Sequence, residues 1–256
     1  MRRRGSTRLK TPDIPFGAAN LIDAQSYPIT GSGQYSGVAL PSDKTILYVS
    51  SQGLKHINVN IVNPDDVSTW TLRSISSYSS DMRGIGVDKN GTNIYRAGGG
   101  GIIEQRSLTT PHDLSAQSVV GTFNTGVGGT FCGFNLSPNE LKAFAIFYQA
   151  IGTASIVVEM DLLSPKNISG ATVVQTYNTP IDQRGVSFSK NGDYFFTAKD
   201  TIGYVYEVTT PFTLDNPSAT QITGTFYSTG QPAIDSDKNR IYAAQWTNLR
   251  VHAATV

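Results

Sequence analysis

Short, mostly apolar segments recur along the chain at Val38 to Leu40, Ile85 to Val87, Phe134 to Leu136, Val186 to Phe188 and Ile234 to Ser236, and a polar tetrapeptide follows each. The tetrapeptides are Pro41-Ser42-Asp43-Lys44, Asp88-Lys89-Asn90-Gly91, Ser137-Pro138-Asn139-Glu140, Ser189-Lys190-Asn191-Gly192 and Asp237-Lys238-Asn239-Arg240. Asn, Asp and Gly tolerate the positive φ that tight hairpins demand, so each tetrapeptide reads as a turn between two strands. The second strand of each hairpin carries an aromatic residue at one equivalent place, Tyr48, Tyr95, Phe144, Phe196 and Tyr242, amid β-branched neighbours. Third strands follow at Lys55 to Asn60, Ile102 to Arg106, Ile156 to Asp161, Tyr204 to Val208 and Leu249 to His252. Loops marked by Pro64, Pro111, Pro165 and Pro211 lead to fourth strands finishing at Tyr78, Phe123, Tyr177 and Phe226.

Small residues open the copies at Gly37, Gly84, Gly133, Gly185 and Ala233, at intervals of 47, 49, 52 and 48 residues. Repeats of this length with strand patterning read as propeller blades. The fifth copy reaches Val256 with three strands, while residues 9–27 carry an orphaned loop and fourth strand: Leu9-Lys10-Thr11-Pro12-Asp13-Ile14 parallels Leu108-Thr109-Thr110-Pro111-His112-Asp113, and Ser26-Tyr27 parallels Ser77-Tyr78. The expected fold is all-β, a five-bladed β-propeller of four-stranded antiparallel blades, closed by pairing the N-terminal strand with the C-terminal three strands. Radial closure leaves only short sheet edges exposed. Residues 9–256 form one propeller domain in this reading, and residues 1–8 a flexible basic arm. The opening glycines fit first strands crowded near an axis, where Gly84 or Gly133 is expected to reject a bulky side chain. Pairing of distant strands also predicts slow folding.

Charged residues are 15% of the chain and the net charge is +1, so bulk electrostatics points neither to nucleic acid nor to an acidic substrate. The arm differs: Arg2, Arg3, Arg4, Arg8 and Lys10 could sit on an acidic protein surface or on nucleic acid, or simply be solvated. No apolar run of a signal peptide follows the arginines between Gly5 and Pro15, and no stretch approaches membrane-spanning length. The single cysteine, Cys132, excludes an internal disulfide and reads as buried beside Gly133.

Loops entering the first strand and loops joining the second to the third share one face, the expected binding surface. It presents Tyr35, Arg83, Phe131, Arg184 and Gln231 from one set and Gln52, Gln149, Asp200 and Trp246 from the other. Trp246, between Gln245 and Asn248, could stack on a sugar ring or fill a gap between blades. Arg83 and Arg184 stand in corresponding positions and could attract an anion or pair with Asp81 and Asp182. Asp81, Asp182 and Asp235 are the trio a glycosidase would need. His56, His112 and His252 lack metal-ligand spacing, so no metal or other cofactor is expected. Gly98 to Gly101 lies between two strands and reads as a flexible turn, because a phosphate loop would precede a helix. Asn90-Gly91-Thr92 and Asn167-Ile168-Ser169 match glycosylation acceptors and read as chance without a secretion signal.

The segment Arg106-Ser107-Leu108-Thr109-Thr110-Pro111-His112-Asp113-Leu114-Ser115-Ala116, with looser versions at Asp161 to Ala171 and Val208 to Ala219, resembles a repeat of bacteriophage virion and tail-associated β-propeller proteins. Leu136-Ser137-Pro138-Asn139 and Phe188-Ser189-Lys190-Asn191-Gly192 partly reproduce that family's hairpin turn. The resemblance covers residues 9–256, departing where a tryptophan often follows the loop proline and His112, Lys166 and Phe212 stand here. It implies a virion location and a non-enzymatic structural or appendage protein of tail, neck or capsid. Its partners would be other virion proteins in a multi-subunit particle, held by the basic arm. Nucleic acid and membrane insertion are not expected. The alternatives are a lectin-like propeller reading host-surface glycan through its loop face and a five-bladed glycoside hydrolase. The motif contains no catalytic residue to carry over.

Overall fold

The computed structural model describes residues 21–28, 35–41, 44–51, 55–61, 69–77, 83–150, 152–199, 202–222, 231–235, 240–245 and 248–254. Four sheets are built from consecutive strands, each in simple meander order. They comprise β2 (Tyr35–Ala39), β3 (Ile46–Ser51), β4 (Lys55–Asn60) and β5 (Thr71–Ser77); β6 (Gly86–Val87), β7 (Asn93–Gly99), β8 (Ile102–Leu108) and β9 (Gln117–Asn124); β10 (Thr130–Leu136), β11 (Lys142–Tyr148), β12 (Ile156–Asp161) and β13 (Thr172–Asn178); and β14 (Arg184–Phe188), β15 (Tyr194–Lys199), β16 (Ile202–Glu207) and β17 (Ser218–Ile222). A further sheet joins β18 (Ala233–Asp235), β19 (Arg240–Gln245) and β20 (Asn248–Ala254) to β1 (Leu21–Pro28), in the order β1-β20-β19-β18. Within it β1 runs antiparallel to β20, from Leu21 opposite Ala254 to Pro28 opposite Asn248. All described strands pair antiparallel in four-stranded units, as the alternation of segments and turns predicts.

Four of the hairpin turns close by a backbone bond from the fourth residue to the first: Lys44 to Pro41 at 3.0 Å, Gly91 to Asp88 at 3.1 Å, Glu140 to Ser137 at 2.8 Å and Gly192 to Ser189 at 2.9 Å. Positive φ falls on that fourth residue, so Lys44 (56°) and Glu140 (57°) hold a conformation that Gly91 and Gly192 adopt without strain. The glycines supply it as expected, while the asparagines stand one place earlier. Asp88, Ser137 and Ser189 donate to the carbonyls of Asn93, Lys142 and Tyr194, so each of these loops has four residues with the third left-handed.

The residue after each of Pro111, Pro165 and Pro211 has the same backbone form. His112, Lys166 and Phe212 have φ of 62°, 58° and 54°. Their N–H groups donate to the carbonyls of Gly91 (2.8 Å), Glu140 (2.8 Å) and Gly192 (3.0 Å), tying the loop to the hairpin turn of its own sheet. Three residues after each proline, Leu114, Ile168 and Leu214 are buried. Their N–H groups donate to side chains of the preceding sheet: Ser74 Oγ at 3.1 Å, Gln105 Oε1 at 3.1 Å and Glu159 Oε2 at 2.8 Å. The proline-marked loop before each of these fourth strands is thus a clasp between consecutive sheets.

The second-strand aromatics complete the contact. Tyr48, Tyr95, Phe144, Phe196 and Tyr242 are all buried. Tyr48 Oη is 2.9 Å from His112 Nδ1 and Tyr95 Oη donates to the Lys166 carbonyl at 2.5 Å, each reaching the next sheet along the chain. Mixed cores fill the gaps: Tyr48 with Ile85 and Ile94, Tyr95 with Phe134 and Phe147, Phe144 with Phe188 and Phe195, and Trp70 with Tyr242. Each such large side chain removed from water contributes about 1.5–3 kcal/mol, so the faces between sheets carry the hydrophobic stabilisation.

First strands meet backbone to backbone. A Cβ on Gly84 would lie 2.3 Å from Gly133 N, one on Gly133 2.7 Å from Gly185 Cα, and one on Gly37 2.7 Å from the Arg83 carbonyl. The crowding expected at Gly84 and Gly133 is therefore present. Strand register corrects the fifth copy: the aromatics Tyr48, Tyr95 and Phe144 pair with Ala39, Gly86 and Asn135, each two residues past the opening glycine, and Tyr242 pairs with Ala233. The opening position of that copy is Gln231, two residues before Ala233.

Candidate functional site

Gln231 takes the place that Gly37, Gly84, Gly133 and Gly185 hold in the other sheets, and the four missing side chains leave room for its own. A Cβ on Gly133 would come within 3.2 Å of Gln231 Cδ, and one on Gly185, at φ 77°, within 2.1 Å of Gln231 Cα. Both ends of the side-chain amide are engaged: Oε1 accepts from Ile85 N (3.2 Å) and Phe134 N (3.4 Å), while Nε2 donates to the Phe134 carbonyl (2.9 Å). Its backbone carbonyl accepts from Val38 N at 2.8 Å in a parallel bridge to Gly37. Gln231, placed by sequence on a ligand-binding face, is 1% exposed and links first strands of several sheets.

At the end where the chain enters the first strands, Arg83 and Arg184 come together over one ring. Their guanidinium carbons lie 6.0 and 5.1 Å from the Tyr148 ring centroid. Asp182 is buried, bonded to Lys199 Nζ and 4.0 Å from Arg184 Nε, so lysine is its nearer partner. Phe131 is 2% exposed and packs edge-on against Phe147, which removes it from the binding surface to the core. Cys132 is fully buried, and burial pushes its thiol up to about 12, leaving it protonated and unreactive at neutral pH. Tyr35 opens β2 opposite Ser51. Trp246, Asp81, Gln52, Asp200 and the arm residues Arg2, Arg3, Arg4, Arg8 and Lys10 lie outside the described residues, as do the side chains of Asp235, His56 and His252.

A concavity lies at the hairpin-turn end of the first strands. An open cavity of about 590 Å³ is bordered by four hairpin turns, with Leu40, Val87, Leu136, Phe188 and Phe212 as apolar lining. Among the described residues Lys44, Lys89 and Lys190 stand around it, together with the carboxylate of Glu140. That carboxylate is buried and accepts the Lys89 N–H at 2.9 Å. Deeper along the centre, a space of about 40 Å³ is bounded by Ala39, Phe134, Ser187 and Gln231, so Gln231 forms the floor. The turn lysines were visible in sequence; the cavity between them is a property of the assembled sheets.

Other buried charges sit inside sheets. Asp88 accepts Thr92 N (2.7 Å), Asn93 N (3.1 Å) and Lys166 Nζ (3.1 Å). Burial alone would raise its pKa, but these bonds and those from the Thr92 and Asn93 side chains outweigh it and hold the carboxyl below its ordinary value. Glu104, partly buried, is likewise held low by Arg96 and Arg106, at 2.8 and 3.1 Å, against the opposing effect of burial. Among the described residues no group of three or more His, Cys, Asp or Glu is placed to hold a metal ion.

Antiparallel four-stranded sheets meeting at their first strands around a central glutamine define the architecture. The fold is a β-propeller. Two solved structures are similar in fold: the Cps50 (Swd1) β-propeller domain of Myceliophteria thermophila, at 9% identity and TM-score 0.51 over 86% of this chain and 84% of that one, and the hydrazine synthase of Kuenenia stuttgartiensis, at 16% identity and TM-score 0.50 over 82% of this chain and 61% of that one. No protein-family model and no curated protein matches the chain.

Proposed function

We propose that the chain is a five-bladed propeller, closed by its N-terminal strand, that serves as a rigid, non-enzymatic binding platform in a virion, as a tail, neck or capsid appendage. The observation that carries the platform reading is the use made of polar groups around the centre. Gln231 uses both the oxygen and the nitrogen of its amide on backbone groups of neighbouring sheets, Asp182 is bonded to Lys199, and the carboxylate described at the turn cavity, Glu140, is already bonded to a backbone N–H. Two-carboxylate hydrolysis needs a facing pair about 5–10 Å apart. Closure is supported by the β1–β20 pairing and by the contact of Trp70 with Tyr242 between the first and last sheets. The virion location rests on the loop resemblance, whose residues form the clasps between sheets.

Two truncations test the reading. Removing residues 1–8 is expected to leave cooperative thermal unfolding unchanged while abolishing co-purification of the chain with its particle. Removing residues 1–28 takes away β1 and should lower stability. Unchanged unfolding after the longer deletion would refute closure by β1; full incorporation after the shorter one would refute the anchoring arm.

A further inference from the structure

We propose that the outer edge of β17 is a self-association surface: it pairs antiparallel with β17 of a second copy of this chain, joining two blades into one continuous sheet. The inference goes beyond the platform reading and depends neither on ring closure nor on a virion location. An unpaired sheet edge is a template for another strand, and a β-bulge is one device that blunts it. β1, β5, β9 and β13, each outermost in its sheet, carry that device at one equivalent place. Val251, Asn58, Gln105 and Glu159 are the third-strand residues paired with the second-strand aromatics. Just past each of them the register slips, leaving Ala24, Arg73, Val120 and Val174 as the extra residues of the outer strands. In β17 the slip is missing: Val205, which faces Phe196, pairs with Thr220, and Tyr206 pairs with the adjacent Ala219. β17 is therefore a regular strand at the end of its sheet.

The edge suits a second copy of itself. Ser218, Ala219, Thr220 and Gln221 are exposed, and Ser218–Ile222 carries no charge. A two-fold axis at Thr220 sets Ser218 opposite Ile222, Ala219 opposite Gln221 and Thr220 opposite its own copy. No like charges meet in that register, and the central Thr–Thr pair is a favourable cross-strand contact. The small side chains at 218–220 let two blade rims approach, while they offer a foreign peptide no large apolar anchor. A strand of this length spans about 17 Å, far less contact than a permanent dimer needs, so the association is weak and is read at about 1 mM chain.

Sedimentation equilibrium of the full chain from about 10 µM to about 1 mM should show a reversible monomer–dimer equilibrium, with amide exchange across Ser218–Ile222 slowing as dimer forms. Thr220→Lys and Thr220→Glu should each weaken dimerisation about threefold, and the double variant Ala219→Lys, Gln221→Lys, which creates two like-charge contacts, about tenfold. An equimolar mixture of the Thr220→Lys and Thr220→Glu chains should associate at least as tightly as the parent. Val120→Lys, on the bulged β9, should change nothing. A chain that stays monomeric at about 1 mM, a charge-swapped mixture that stays apart, or an equal loss from Val120→Lys would each overturn the proposal. Association that disappears on removal of residues 1–8 would place the arm at the interface and overturn it as well. The concentration series uses the parent chain, so it decides even if a variant folds poorly. Failure here leaves the platform reading standing, because that reading is tested by the two truncations.

Discussion

Truncating Gln231 to alanine separates a structural residue from a ligand-binding one. The substitution strands the Ile85 N–H and the Phe134 carbonyl, bonded at 3.2 and 2.9 Å, and the more weakly held Phe134 N–H at 3.4 Å. Each buried backbone group left unpaired costs about 1–3 kcal/mol. The two stronger bonds alone therefore suggest a loss of about 2–6 kcal/mol, and the neighbouring space of about 40 Å³ could admit a water that restores one partner. A loss of about 3 kcal/mol is expected, seen in equilibrium urea unfolding as a lowered midpoint at constant slope, and as a drop of about 6–12 °C in thermal midpoint. Gln231→Leu sharpens the test. Leucine fills space but makes none of the three bonds, so it should be no better than alanine. Gln231→Glu adds a sign: the neutral carboxyl can still donate to the Phe134 carbonyl, whereas burial raises its folded pKa. Its stability should lie nearest the parent below pH ~4.3, where even an unfolded glutamate is protonated, and fall as pH rises through the folded pKa. A loss below about 1 kcal/mol in the alanine variant, or parental stability in the leucine variant, would refute the role of Gln231 as a central staple.

Two further outcomes follow from the packing and the charges. Gly84→Val places a Cβ 2.3 Å from Gly133 N and 2.4 Å from the Cys132 carbonyl carbon, backbone atoms that cannot yield, so it should cost more than about 4 kcal/mol or abolish soluble expression, whereas Gly100→Ala, with nothing within 4 Å but a φ of 57°, should cost about 1–2 kcal/mol in thermal unfolding. Asp88→Asn should lose about 2 kcal/mol near neutral pH, because the carboxylate holds Thr92, Asn93 and Lys166 together. The folded pKa lies below 3.8, so this stabilisation is present above that value and disappears as pH falls through the folded pKa. A difference that stays constant from neutral pH into that acid range, followed by chemical denaturation, would contradict the network.

What could be read without coordinates was what depends on short stretches of chain. Alternating segments, turn residues and a buried aromatic at one place in each copy follow from local sterics and burial, so the four-stranded units, the positions of Tyr48, Tyr95 and Phe144, and the crowding at Gly84 and Gly133 were legible. Even there, small differences mattered: positive φ settled on Lys44 and Glu140 because the loop length demands it at the fourth place, whatever side chain stands there. Three features required the assembled sheets. Gln231 could not be recognised as the equivalent of four glycines because a long polar side chain looks nothing like them, and only register with Tyr242 and the space left across the centre reveal the match. The role of Leu114, Ile168 and Leu214 as clasps depends on acceptors about 40 to 63 residues distant. The cavity among the hairpin turns was likewise tertiary: residues of four separate turns border it, and their approach is a relation between distant segments that no local pattern encodes.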